Sequence, residues 1–150
     1  ITYGIKSGSK ELYNSLESKT AGAVRGNISN ACNLSQSLLL SAFSTEGYQS
    51  EKSEKYQILS SRYKKVRSTL SDQKYKEYFK ALPFNSGYFM CIRLKNGLDG
   101  EKLRRLLLDK YDTGVIHTNQ IIRIAFSSVA ESDIPELFEN IYNACKELAL

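Results

Sequence analysis

Apolar positions recur along this chain at two spacings, and the change from one to the other marks out its elements. Tyr56, Leu59, Tyr63, Val66 and Leu70 come every third or fourth position, which predicts a helix with one buried stripe, beginning after Gly47-Tyr48 and ending near Leu70. Upstream, Ser7-Gly8-Ser9 offers a turn and a cap for a helix from Glu11 to about Ala23, with Leu12 and Leu16 on one face. Asn33 or Ser35 opens a second helix through Phe43, whose Leu38-Leu39-Leu40 run is expected to be deeply packed. Asp99 can cap a helix that bears Leu103, Leu106 and Leu107 and ends near Tyr111, before Gly114. Ser132 can cap a last helix, which tolerates Pro135 in its first turn and carries Ile134, Leu137, Phe138, Ile141, Cys145 and Leu148 at helical spacing.

Strand signals fall between these helices. Ile1 to Ile5 is a strand-like run, and Tyr88 to Leu94 is the longest strand candidate, bounded by the turns Asn85-Ser86-Gly87 and Asn96-Gly97. Val115-Ile116 and Ile121 to Phe126 read as a hairpin whose four-residue loop is His117 to Gln120. Between Ser71-Asp72-Gln73 and Leu82-Pro83 lies a short amphipathic segment, which the proline stops. Helices, strand, helix, two strands and helix make an α/β sandwich, with a small, mostly antiparallel sheet covered by helices. At 150 residues the chain has length for one well-buried core, so 1–150 is expected to be a single domain.

One residue breaks the strand pattern. Arg123 sits inside Ile121-Ile122-Arg123-Ile124-Ala125-Phe126, where a chain would ordinarily place hydrocarbon. Arginine keeps its proton, so it pairs with an internal carboxylate, points its fork of donors into a cavity that receives one, or leaves the sheet from an edge strand into solvent.

Composition narrows the setting. A net charge of +5 invites a nucleic-acid partner, but Lys and Arg are interleaved with Asp and Glu. The densest cluster, Arg62, Lys64, Lys65 and Arg67, lies on the outer face of the helix whose apolar stripe is described above, so no nucleic acid is expected. Cys32, Cys91 and Cys145 are odd in number and widely spaced, and with one His in the chain neither a disulfide framework nor a metal site is suggested. No apolar run approaches the roughly 18 residues of a membrane span, and a signal-peptide pattern is missing at Ile1, so no membrane is expected and the cytoplasm fits best. A strand at residue 1 further suggests a piece cut from a longer protein.

Four stretches together carry a family resemblance. Asn85-Ser86-Gly87-Tyr88-Phe89-Met90, Gly114-Val115-Ile116, Ile122 to Ser127, and Val24-Arg25-Gly26-Asn27-Ile28-Ser29-Asn30 followed by Gln36 resemble, in order and spacing, the C-terminal part of class I/II aminotransferases, pyridoxal-phosphate enzymes of the aspartate aminotransferase fold. The resemblance implies a segment 1–30 that packs on a missing large domain, and a C-terminal domain over 31–150. It gives Arg123 the role of the arginine that forks onto the substrate's α-carboxylate. Arg25 falls where aspartate-specific members place an arginine for the distal carboxylate in the neighbouring subunit's site; a structural salt bridge is an equally open reading. Ser29, Asn30 and Phe89 match the pocket edge, and core packing is the expected duty of Phe89.

The catalytic half is absent from this stretch. In the family the cofactor lysine lies before the strand that Ile1 to Ile5 resembles, so no catalytic residue is expected here, and Ser7-Gly8-Ser9-Lys10 is read as solvated turn residues. The function implied is the substrate-binding domain of an amino-acid aminotransferase, inactive alone. In its full form it would bind pyridoxal 5'-phosphate, amino acids and 2-oxo acids and act as a homodimer, whereas the fragment is expected to bind no cofactor. The alternatives are a stand-alone carboxylate-binding or regulatory module using Arg123, and a basic nucleic-acid-binding domain.

Overall fold

A computed structural model describes residues 3–85 and 87–149, in two compact units that meet in the chain between Tyr48 and Gln49. Ile1 and Thr2 of the expected first strand and Ser86 of the expected turn lie outside the described residues. Tyr3 to Ile5 form no strand; the Tyr13 hydroxyl instead accepts from the Ile5 N–H at 3.2 Å and donates to its carbonyl at 3.3 Å.

The first unit holds helices α1 (Lys10–Asn27) and α2 (Asn33–Phe43). Ser9 caps α1 as expected, its hydroxyl accepting from the Leu12 N–H at 3.2 Å. The expected packing of Leu38, Leu39 and Leu40 does not occur: they are 62%, 56% and 68% exposed. Leu34 and Phe43 of the same helix are exposed as well, at 69% and 58%, so no face of α2 is buried. No described residue of this unit is buried.

The second unit is built on α3 (Tyr48–Thr69), whose expected stripe holds only toward its end. Val66 is buried, Leu59, Tyr63 and Leu70 are half-buried, and Tyr56 stands 66% exposed. A 3₁₀ turn, Gln73–Glu77, follows, its start capped by Asp72, which accepts from the Lys74 N–H at 3.0 Å. Strand β1 (Phe79–Ala81) comes next and was not expected, because three residues are too few to show alternation. The other strands are β2 (Met90–Leu94), β3 (Ile116–Thr118) and β4 (Ile121–Ile124), with α4 (Gly100–Tyr111) between β2 and β3 and α5 (Ile134–Leu148) at the end.

The sheet order is β1-β2-β4-β3, with every neighbouring pair antiparallel. Since β2 and β3 both oppose β4, they run parallel to each other and need a crossover, which α4 provides. The hairpin is tighter than expected. Thr118 pairs with Ile121, so Asn119-Gln120 is a two-residue turn and Asn119 takes φ 54°, a left-handed conformation that asparagine tolerates. Phe126 leaves the strand for a 3₁₀ turn and is buried there.

One face of the sheet makes the core. Phe79, Met90, Ile92, Leu94, Ile122 and Ile124 pack with Leu103 and Leu107 of α4 and with Phe138, Ile141 and Cys145 of α5. Burial pushes the Cys145 thiol up to about 12, so it behaves as a small hydrophobe. Two Lys-Tyr pairs fasten α5: Lys74 meets Glu139 at 2.6 Å beside the Tyr75 hydroxyl, and Lys110 meets Glu147 at 2.6 Å beside that of Tyr111. Ser132 is not the cap of α5; its hydroxyl donates to Asp133 at 2.6 Å, and Pro135 occupies the first turn as expected.

The start of α4 is fixed twice. Asp99 accepts from the Glu101 and Lys102 N–H groups at 2.9 and 3.1 Å, the cap that the sequence predicts. Gly100 lies so close to the His117 ring that a Cβ there would collide with it. Glu101 takes two bonds of 2.7 Å from Arg104 and one of 2.9 Å from Arg105, which hold its carboxyl down at about 2, below its ordinary 4.5. A depressed pKa adds stability that is complete above the ordinary value and is lost as pH falls through the folded one. Glu101→Gln should therefore flatten the pH dependence of the melting temperature between pH 4.5 and 2; an unchanged slope would assign acid sensitivity elsewhere. Phe138→Ala should cost about 3–5 kcal/mol in urea unfolding, whereas Tyr88→Ala, 62% exposed, should stay within about 0.5. Equal losses would place the core elsewhere.

Candidate functional site

Alternation sends the other side chains to the opposite face of the sheet. Arg123 lies there, exposed, with Cys91 on β2 and Ile116 on β3 as its cross-strand partners. It is not on an edge: β4 is interior to the sheet, and exposure comes from the uncovered face. Phe89 is not a core residue, being 48% exposed, and its ring stands 4.7 Å from the Arg123 guanidinium carbon. A cation over an aromatic face is held without using its N–H donors. Among the described residues Arg123 makes no ion pair or hydrogen bond, so the whole fork remains free for a planar anion.

Two further cations share this face. Arg93 on β2 is exposed and pairs with Ile121 of β4 on one side and Lys80 of β1 on the other. Like charges directly opposite across strands are destabilising by up to about 1 kcal/mol, and no Asp or Glu occurs in any of the four strands to offset this. Arg93 was legible in the sequence by the argument used for Arg123, since it too interrupts an apolar run, Met90-Cys91-Ile92-Arg93-Leu94.

The remaining candidates lie in the first unit. Arg25, in the last turn of α1, donates through Nη1 to the Ser29 hydroxyl at 3.2 Å and carbonyl at 3.4 Å. Ser29 takes φ 66° just past Ile28, the cap of α1, so Arg25 and Ser29 close the end of the helix, while the Asn30 side-chain oxygen accepts from the Ala31 N–H at 2.9 Å beyond it. Lys10 is the exposed first residue of α1. A Schiff-base lysine is activated by desolvation or by a neighbouring cation. No described lysine is buried, and Lys80, which stands opposite a cation, Arg93, is exposed, so the described residues offer no desolvated lysine for a covalent pyridoxal-phosphate site. No group of His, Cys, Asp and Glu suited to a metal occurs among the described residues.

Neither a protein-family model nor a curated protein matches the chain. Solved structures do. An aminotransferase from Anaerococcus prevotii superimposes with a TM-score of 0.72 at 24% identity, over 90% of this chain and 32% of that one. An α-aminoadipate aminotransferase from Thermus thermophilus, solved with N-(5'-phosphopyridoxyl)-L-leucine, superimposes with a TM-score of 0.70 at 17% identity, over 90% of this chain and 36% of that one. The chain thus spans about a third of the length of the structures it matches, and its fold is that of part of an aminotransferase.

Proposed function

We propose that this chain is the C-terminal, substrate-binding portion of a pyridoxal-phosphate-dependent amino-acid aminotransferase, and that Arg123 receives the substrate's α-carboxylate. The observation that carries the reading is a guanidinium without a counter-ion among the described residues, steadied by the Phe89 ring on the open face of an aminotransferase-like sheet. Two parallel N–H···O bonds would fix the carboxylate plane and with it the orientation of the amino acid or 2-oxo acid. The cofactor and its lysine would lie in the part of the protein that precedes Ile1, and the complete enzyme would work as a homodimer in the cytoplasm. The chain alone would be inactive. Arg25, which donates to Ser29, would receive the distal carboxylate in the neighbouring subunit's site, with a structural role at the end of α1 as the alternative.

Charged hydrogen bonds contribute about 1.5–3 kcal/mol each, so Arg123→Ala in the complete enzyme should lower kcat/KM by roughly 10² to 10⁴ for every amino acid tested. Arg123→Lys keeps the charge, loses the fork and should fall between. Circular dichroism should be unchanged in both, since the side chain is exposed. A kcat/KM within a few-fold of the parent would remove Arg123 from the substrate site. Borohydride treatment of this chain with pyridoxal phosphate should trap no stoichiometric adduct by mass spectrometry; an adduct at Lys10 would contradict the reading.

A further inference from the structure

At the free edge of the sheet, β1 and the end of α3 border a cleft of about 590 Å³. Leu70, Leu82 and Phe84, all half-buried, give it apolar walls, and the Phe84 ring is held edge-on by Tyr63 and Phe126 at 5.3 and 6.0 Å. Arg67 and Lys80 bring two cations to the same cleft. A second cleft of about 290 Å³ shares Leu70, Lys80 and Ala81 with the first and adds Lys76 and Lys95, so the two form one groove along β1. Four cations line this groove and no Asp or Glu does, whereas the clefts that reach α5 carry Glu77 and Asp99, or Asp112, Asp133 and Glu136. None of the four makes an ion pair among the described residues; Lys95 donates to the Lys76 carbonyl at 2.6 Å.

Apolar walls with a few placed charges, in a cleft of several hundred Å³, are the make-up of a small-molecule site. The Leu82 N–H donates to the Cys91 carbonyl at 2.9 Å, toward β2, so alternation turns the Ala81 N–H to the free edge and adds a neutral donor there. Lys80 stands opposite Arg93, and an anion at Lys80 would offset the repulsion between them. We infer that the groove binds a small amphiphilic carboxylate, with its head on Arg67 and Lys80 and its hydrocarbon chain along Leu70, Leu82 and Phe84. The chain displaces water from those side chains while the carboxylate takes the charged hydrogen bonds, so neither part alone uses the whole cleft. The site is separate from Arg123, which lies on β4 with β2 between it and β1, and it needs no role for that residue.

The test is an NMR shift titration of the 150-residue chain with octanoate, with acetate as the control for the head and octanol as the control for the chain. Affinity is read at the amides of Arg67 to Ser71 and Lys80 to Phe84, where octanoate should bind about tenfold more tightly than either control, or better. Arg67→Ala and Lys80→Ala should each weaken octanoate about threefold or more. Leu82→Ala should weaken octanoate and leave acetate unchanged. Lys64→Ala, which removes an equal charge from the exposed face of α3, should leave octanoate binding intact, and so should Arg123→Ala. Acetate or octanol binding as tightly as octanoate, full affinity in both Arg67→Ala and Lys80→Ala, or an equal loss in Lys64→Ala overturns the site. Shifts at these amides that vanish in Arg123→Ala would put the ligand on that residue and overturn it too. Arg67→Gln and Lys80→Gln serve as second variants, with unchanged amide dispersion as the check on folding.

Discussion

Ile122 and Ile124 cannot enter the core without sending Ile121 and Arg123 the other way. Side chains in a strand alternate with period two, so a sheet that buries one face against helices must display everything between on the other. Here the buried set is continuous across β1, β2 and β4, and α5 covers it with Phe138 and Ile141. The register that makes this core is the same register that sets Cys91 opposite Arg123 and Ile121 opposite Arg93. A slip of one residue would bury the arginines and expose the isoleucines. Core and candidate site are therefore two consequences of one pairing.

Where the sequence was readable, a local rule and the tertiary structure agreed. Asp99 has the chemistry of a cap and caps α4; the three-and-four spacing from Ile134 to Leu148 is the face that α5 buries. Arg123 announced itself because a charge in an apolar run has few places to go. Arg93 carried the same signal, masked by a resemblance that assigned a role to Arg123 and none to Arg93. Strand β1 was unreadable for a different reason. Phe-Lys-Ala has no pattern of its own and becomes a strand only because β2 offers a partner edge. The leucines of α2 misled in the opposite sense, since hydrophobicity states a preference for burial and cannot supply the surface that buries.

The two units differ in what holds them. The second has a contiguous core, with clasps such as Lys74 with Glu139 and Lys110 with Glu147 at its rim. The first relies on local devices: a serine cap, a tyrosine hydroxyl folded back onto Ile5, and an arginine locked to Ser29. Such contacts hold each helix in shape and bury little, so helix propensity and capping carry more of the load there than hydrophobic burial does.

The open face of the sheet also has a bearing on how such a protein could change. Lys80, Arg93 and Arg123 project from strands whose stability comes from the other side, so exchanging them costs folding little. Selection could then rewrite the charge pattern of this face one codon at a time, testing new ligands without first acquiring compensating stability. A catalytic pocket dug into a core has no such freedom, because each trial there disturbs packing. The architecture separates what must be kept from what can be varied, and places the variable positions where small molecules would meet them.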